Sequence, residues 1–402
     1  MLTGLFVHAV HDIPEAKHLP SVETGRTARR RTAYADRATG KRILMLASDA
    51  HGGLGGIAQY NRDVIAVLAS DPEISRIVVL PRAIEQKFFD APPKVTYDNK
   101  AAGGIAVFSR RALSIATFGG GFDLIFCGHV NLGPIALASS RIAGAPMALA
   151  VHGTDAWTRP KRRLSALAAK SADLILSVSQ LTIDRMRSWL PGPRPPAVVV
   201  PNAVRLERFG IGPKDPELLA RYGLEGRRVI MTLGRMAADE QAKGFDQVME
   251  IMPRLRAHCP NLVYLCAGDG DDRPRLEAKA RSLGCGDSVV FTGRIPEARK
   301  AAYFRLADAY VMASRGEGFG IVVIEALACG IPVVGSTADA TREALMYGEL
   351  GPAVDPDDAA ALTAAILEAL DRPHAIPERL SHYAFEKFQA RLHAALHPLM
   401  TR

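Results

Sequence analysis

The stretch SRGEGFGIVVIEALACG, residues 314–330, sets two carboxylates, Glu317 and Glu325, in a run otherwise built largely from glycine and apolar residues. A helix opening after Gly320 would be apolar on every side through Cys329, so Glu325 would sit in a buried element and need a compensating partner. The loop glycines and the helix start offer free N–H groups to an anion. Glu325, about one turn into the helix, could accept hydrogen bonds from two neighbouring hydroxyls, and a ribose supplies such a pair. Upstream, TLGRMAADEQAKGFD puts Arg235 just after a strand and Lys243-Gly244 at the opening of the next helical run. Either cation alone reads as surface charge. Together, at the carboxyl end of a parallel strand and beside a helix N-terminus, they suit a diphosphate.

Two further motifs invite other chemistry. In DAHGGLGGIA, Gly53 to Ala58 satisfies G-x-G-x-x-A between a strand and a helix, which by itself says dinucleotide binding. The acidic residue expected after the second strand is missing, because RIVVL runs into Pro81-Arg82, although Arg82 could favour a 2′-phosphate. A tight turn explains some of these glycines, and close approach of the backbone to a phosphate or sugar explains them better. In CAGDGDDRP, Asp269-x-Asp271 imitates a metal-binding D-x-D. Helix capping accounts for Asp271 or Asp272, with Pro274 in the first turn. No clustered His/Cys/Asp set lies elsewhere, so no metal is expected.

The elements that must hold these loops follow a repeating pattern. From Lys41, short apolar runs (RILMLAS, RIVVL, FDLIFCGHV, PMALAVHG, ADLILSVS, AVVVPNAV) alternate with stretches at helical spacing such as IAQYNRDVIAVLAS. Near-continuous Val/Ile/Leu runs predict strands buried on both faces of a parallel sheet. The rhythm restarts at RRVIMTLGR and continues through NLVYLCAGDG, SVVFTG, ADAYVMAS and IPVVGS. The expected fold is α/β: two Rossmann-like, doubly wound domains facing across a cleft lined by strand carboxyl ends. The expected boundaries are a basic extension over 1–40, a first domain over 41–205, a second over 206–375 and a helical segment over 376–402 that could pack back on the first domain.

Composition narrows the function classes. A chain of 402 residues with 48% hydrophobic content has room for two full cores. No apolar run approaches the ~20 residues of a membrane span. The first ~40 residues lack an apolar core followed by a cleavage site and do not read as a signal peptide. Five scattered cysteines without a C-x-x-C pair fit a reducing cytoplasm. Residues 1–200 hold 25 Lys/Arg against 15 Asp/Glu, whereas the second half is nearly balanced. Arg29-Arg30-Arg31, Arg110-Arg111 and Lys161-Arg162-Arg163 are each compatible with solvated surface, and together they suggest an anionic partner such as a phospholipid surface or a phosphate-bearing substrate. Nucleic acid is not expected, because aromatics are 6% of the chain and do not interleave with the basic residues.

With Glu317 and Glu325, Arg235, Lys243-Gly244, the GDG turn and the helix-final A-C-G-I-P-V-V, the chain from about residue 41 onward resembles glycosyltransferase family 4, retaining enzymes of GT-B fold. It is most similar to bacterial enzymes that build exopolysaccharide or lipid-linked sugars, some using GDP-mannose. The resemblance implies that Glu325 holds the ribose hydroxyls, that Arg235 and Lys243 hold the diphosphate, and that the amides of Phe319, Gly320 and Ile321 hold phosphate and sugar. Glu317 would face the donor sugar, and His152 of AVHGTDAW would lie beside it. Gly55 and Gly56 would close near the phosphates. Gly234, Gly268, Asp269, Arg294 and Val322 would complete the donor pocket. His152, Arg235, Lys243 and Glu317 would carry catalysis. Asp239-Glu240, between Arg235 and Lys243, could reshape the diphosphate pocket.

The resulting expectation is a metal-independent retaining hexosyltransferase, with no cofactor beyond the nucleotide sugar as co-substrate. The favoured transfer is mannose from GDP-mannose to a glycan or polyprenyl-diphosphate-linked acceptor, in the cytoplasm or peripherally on the inner face of the plasma membrane. UDP-glucose is the alternative donor. A non-hydrolysing epimerase or a nucleotide-sugar binding protein could share the two-domain shape, and an NADP-dependent dehydrogenase is the outsider.

Overall fold

The computed structural model describes residues 40–49, 53, 55–84 and 91–401, so the expected basic extension, with Arg29 to Arg31, lies outside the described residues. Among the described residues, thirteen strands fall into two sheets. The first contains β1 (Lys41–Ala47), β2 (Ile74–Pro81), β3 (Val95–Tyr97), β4 (Leu124–Cys127), β5 (Met147–Val151), β6 (Leu174–Ser177) and β7 (Ala197–Val199), in the order β3-β2-β1-β4-β5-β6-β7. The second contains β8 (Arg228–Leu233), β9 (Leu262–Ala267), β10 (Val289–Gly293), β11 (Ala309–Val311), β12 (Val333–Ser336) and β13 (Ala353–Val354), in the order β10-β9-β8-β11-β12-β13.

Every strand pairing is parallel, with Met45 opposite Phe126 in the first sheet and Ile230 opposite Ala309 in the second. Parallel strands need covered faces, which explains why Ile43 to Ala47 and Met147 to Val151 are all fully buried. Helices supply the cover. Phe245–His258 turns Val248, Met249, Met252 and Leu255 inward at helical spacing, into one cluster with Ile230, Leu262 and Tyr264.

The strand order reverses between β1 and β4 in one sheet and between β8 and β11 in the other. Such reversals leave a crevice at the strand carboxyl ends, where open α/β sheets bind ligands. The loops carrying Gly55-Gly56, Arg235-Lys243 and Glu317 all start from these four strands.

The two sheets share one apolar cluster, from Ile43 and Tyr60 through Val200 and Val204 to Val229, Phe319 and Val323. The chain passes between them at 200–204 and returns at 383–384, where the Val204 amide donates to the Tyr383 carbonyl at 2.8 Å. The helix Phe385–Met400 then lies on the first domain. Phe388 meets the Tyr60 ring edge-on at 5.5 Å, and Arg205 stacks over Phe385 while donating to Asp63 at 3.0 Å.

Candidate active site

Backbone contacts fix the two loops of the second sheet before any side chain is considered. The Arg315 amide donates to the Ala242 carbonyl at 2.8 Å, joining the loop after β11 to the loop after β8. A Cβ on Gly268 would stand 1.9 Å from the Gly234 carbonyl, so the GDG turn packs directly on the loop that carries Arg235. Gly268 thus packs on Gly234, and Arg294 stands exposed just past β10, where the Gly268 amide bonds the Gly293 carbonyl at 3.1 Å.

Two expected donor residues meet on this frame. Lys243 Nζ donates to Glu317 Oε1 at 2.6 Å, with both side chains largely withdrawn from solvent. Burial works against the ammonium, but the carboxylates of Glu317, Glu240 and Asp339 together outweigh it and raise the Lys243 pKa, so the cation persists through neutral pH. Arg235 is 65% exposed and donates to Glu240 at 2.5 Å. The acidic insert between the two cations therefore holds Arg235.

Glu325 is 1% exposed, inside the helix Ile321–Ala328, which Gly320 opens without any side-chain cap and Gly330 follows in the left-handed region. Its burial is compensated by Lys300, whose Nζ donates to Glu325 Oε1 at 3.0 Å and to Glu297 at 3.1 Å. Burial raises the Glu325 pKa and Lys300 opposes it. The second oxygen, Oε2, is buried without a hydrogen-bond partner. A carboxylate anchored on one oxygen and unsatisfied on the other suits a ligand hydroxyl. Phe319 packs its ring edge-on against Tyr383 at 5.3 Å, while Ile321 and Val322 stay partly exposed at the helix start.

The first domain meets this loop backbone to backbone. A Cβ on Gly153 would fall 2.5 Å from Gly318 Cα, and one on Gly318 would fall 1.7 Å from the His152 carbonyl oxygen. His152 is thereby placed against the loop that bears Glu317. Its Nε2 donates to the Gly128 carbonyl at 2.9 Å, its ring meets Tyr60 edge-on at 5.1 Å, and its amide donates to Asp155 at 3.0 Å. Burial lowers its pKa to about 4, so the imidazole is neutral at physiological pH. Gly56 opens the helix Gly56–Ser70 and faces Ile321, with 4.0 Å from its Cβ position to Ile321 Cγ2. The glycine-rich turn of one domain thus confronts the helix start of the other.

The structure corrects the capping assignment. Asp272 is the N-cap residue of the helix Arg273–Ser282, yet its side chain makes no cap bond. Its carboxylate is taken by Arg275 one turn on, with both contacts at 2.7 Å. Asp271 instead accepts the Ala238 amide at 2.9 Å, and Asp269 accepts the Gly270 amide at 3.0 Å. These acids shape the turn beside the Arg235 loop. Sequence reasoning missed Lys300 and Asp339, both far in sequence from the carboxylate or loop they hold.

Two parallel sheets, with an uncapped helix start and a cationic loop at their switch points, match the GT-B class of glycosyltransferases. The description Glycosyltransferase Family 4 matches residues 54–208, and Glycosyl transferases group 1 matches residues 227–372. The GDP-mannose-dependent alpha-(1-6)-phosphatidylinositol monomannoside mannosyltransferase of Mycolicibacterium smegmatis is 33% identical over 282 residues, covering 66% of this chain and 71% of that protein. The phosphatidyl-myo-inositol mannosyltransferase of Mycobacterium leprae is 30% identical over 262 residues, covering 65% and 67%. Among solved structures, Anabaena HepE in complex with UDP and glucose aligns with a TM-score of 0.68 at 19% identity, over 89% of this chain and 100% of that one. Sucrose-phosphate synthase from Thermosynechococcus elongatus aligns at 0.67 and 19%, over 90% and 96%. The chain belongs to glycosyltransferase family 4 and is a hexosyltransferase.

Proposed function

We propose that this enzyme moves mannose from GDP-mannose to a hydroxyl of a lipid-linked or glycan acceptor, with retention of configuration and without a metal ion, in glycolipid or exopolysaccharide synthesis. The observation that carries the reading is the Lys243–Glu317 pair beside the half-satisfied Glu325, in a chain whose mycobacterial relatives are named for mannosyl transfer. Breaking the sugar–phosphate bond builds negative charge on the leaving diphosphate. Lys243 has three donors, so it can keep Glu317 and still reach that charge. Arg235 and the uncapped helix start add to it, and such pre-placed groups lower the barrier directly. Glu325 holds the ribose, Glu317 faces the sugar, and the departing phosphate serves as base for attack on the same face.

The acceptor side supports a peripheral place on the cytoplasmic face of an anionic membrane. The helix Arg163–Lys170 exposes Leu164 and Leu167, at 64% and 51%, among exposed Lys161, Arg162, Arg163 and Lys170. Apolar side chains ringed by basic ones suit an interface with anionic lipid. Among the described residues, no helix is long and apolar enough to cross a membrane.

The test is transfer of label by the purified protein, supplied with a bacterial membrane lipid extract and cell glycan, to the chloroform-soluble or the glycan fraction, from GDP-[14C]mannose and, separately, UDP-[14C]glucose. The expected result is label from GDP-mannose. Label from UDP-glucose alone, or from neither, would contradict the proposal.

A further inference from the structure

Asp339 is fully buried in the loop between β12 and the short helix Thr341–Ala344, and no cation bonds it among the described residues. A buried carboxylate is costly unless its oxygens are occupied. Here both are. Oδ2 accepts the Ser314 hydroxyl at 2.5 Å and the Glu317 amide at 2.9 Å, while Oδ1 lies 3.0 Å from the Thr341 amide and 2.8 Å from its hydroxyl. The next residue adds a second link, since the Ala340 amide donates to the Glu317 carbonyl at 3.1 Å. Both backbone groups of Glu317 are therefore held by residues 339 and 340. The Glu317 side chain then holds Lys243 at 2.6 Å.

We propose that Asp339 is a positioning residue for hexosyl transfer, fixing the backbone of Glu317 and, through it, the placement of the Lys243 ammonium against the donor diphosphate. The proposal rests on the donor-site reading given above. Asp339 does not touch the donor; it removes the freedom of the loop that does. Glycine and serine at 314–318 would otherwise leave that loop mobile, and misplacement by about 1 Å can cost roughly 10²-fold in rate. The charged groups facing Asp339 are Glu317 and Lys243. Burial, with the nearby Glu317 charge adding to it, raises the Asp339 pKa to about 6, and the Ser314 and Thr341 hydrogen bonds hold it down. On the acid side a proton on Asp339 takes an acceptor position that Ser314, Thr341 or the Glu317 amide requires.

The experiment compares the full-length parent with Asp339→Asn and Ser314→Ala, using whichever nucleotide sugar the parent turns over, so failure of the mannose assignment leaves the comparison intact. In Asp339→Asn the side-chain amide opposes the Glu317 N–H, and kcat is expected to fall roughly 10²-fold. Affinity for the free nucleoside, which lacks the diphosphate that Lys243 meets and whose ribose is assigned to Glu325 on another element, is expected to change little. The parent should show an acid limb in kcat near pH 6 that Asp339→Asn lacks. Ser314→Ala, which removes one bond to the carboxylate, should move that limb to higher pH. If Asp339→Asn does not fold, the Ser314→Ala profile decides. A kcat within twofold of the parent in Asp339→Asn, a parallel loss of nucleoside affinity, or an acid limb unmoved by Ser314→Ala would each overturn the proposal.

Discussion

Lys243 Nζ and Glu317 Oε1 stand 2.6 Å apart, although 74 residues separate them, because β8 and β11 are neighbours at the switch point of their sheet. The pair places a cation whose charge the acid sustains where a leaving diphosphate would need it. Lys243→Ala should cut turnover by about 10² to 10³, the scale of removing one charge-stabilising group. Glu317→Gln should lower it too, and the double variant should lose less than the sum of the two, since the residues share one contact. Steady-state kinetics of the four proteins check this. Turnover of Lys243→Ala within twofold of the parent would remove its role.

The contact between Gly153 and Gly318 leaves no room for a methyl group, because the nearest atoms are backbone and cannot rotate away. Gly318→Ala should push the two domains apart at the cleft while each sheet stays folded. Transfer should drop roughly 10²-fold, as expected for a displaced reacting group. Activity together with small-angle scattering reads both effects. Unchanged activity with unchanged scattering would show that the loops meet less closely than described.

His152 carries a pH dependence of known sign. Its folded pKa of about 4 lies below its ordinary value of 6.5, so the unfolded chain binds more protons between those pH values. Its contribution is present above pH 6.5 and is lost as pH falls toward 4, up to roughly 3 kcal/mol. His152→Gln should therefore flatten the loss of stability between pH 7.5 and pH 4.5 (about the window just given). Denaturant titrations at the two ends measure it. Equal slopes in parent and variant would mean that the ring titrates normally.

The helix Arg163–Lys170, with Leu164 and Leu167 exposed among basic residues, offers a separate readout for the proposed membrane contact. The parent should co-sediment with vesicles containing anionic phospholipid and be released by salt, because contacts between exposed charges are screened. Leu164→Glu with Leu167→Glu should abolish binding. Alanine at Lys161, Arg162 and Arg163 should weaken it by about 1 kcal/mol per residue. Binding insensitive to both salt and anionic lipid would reject the assignment.

Much of this was legible in the sequence, and the exceptions share a cause. Runs such as RILMLAS and PMALAVHG are apolar on both faces, and only a covered parallel sheet satisfies that. Glu317 and Glu325 were legible because a glycine loop opening an apolar helix is a local pattern. Lys300 was not, since it reaches Glu325 across 25 residues and its own helix gives no sign of a buried cation. Asp339 was hidden in the same way, 22 residues beyond the amide it holds. Arg235 was legible as a cation at a strand end, whereas its pairing with Glu240 came only from the loop's path. Asp272 followed local capping rules in sequence, and Arg275 won its carboxylate because a bidentate ion pair is stronger than a cap bond.

Glu325 tests the account most directly. Its one oxygen is fixed by Lys300 and its other is buried without a partner, an arrangement that the proposed ribose contact would complete. The measurement is calorimetric titration of GDP into the parent and into Glu325→Ala, with melting temperature confirming that both are folded. Loss of hydrogen bonds to a charged acceptor should weaken binding by about ten- to a hundredfold. Equal affinity in the two folded proteins would contradict the claim that this carboxylate holds the donor nucleotide.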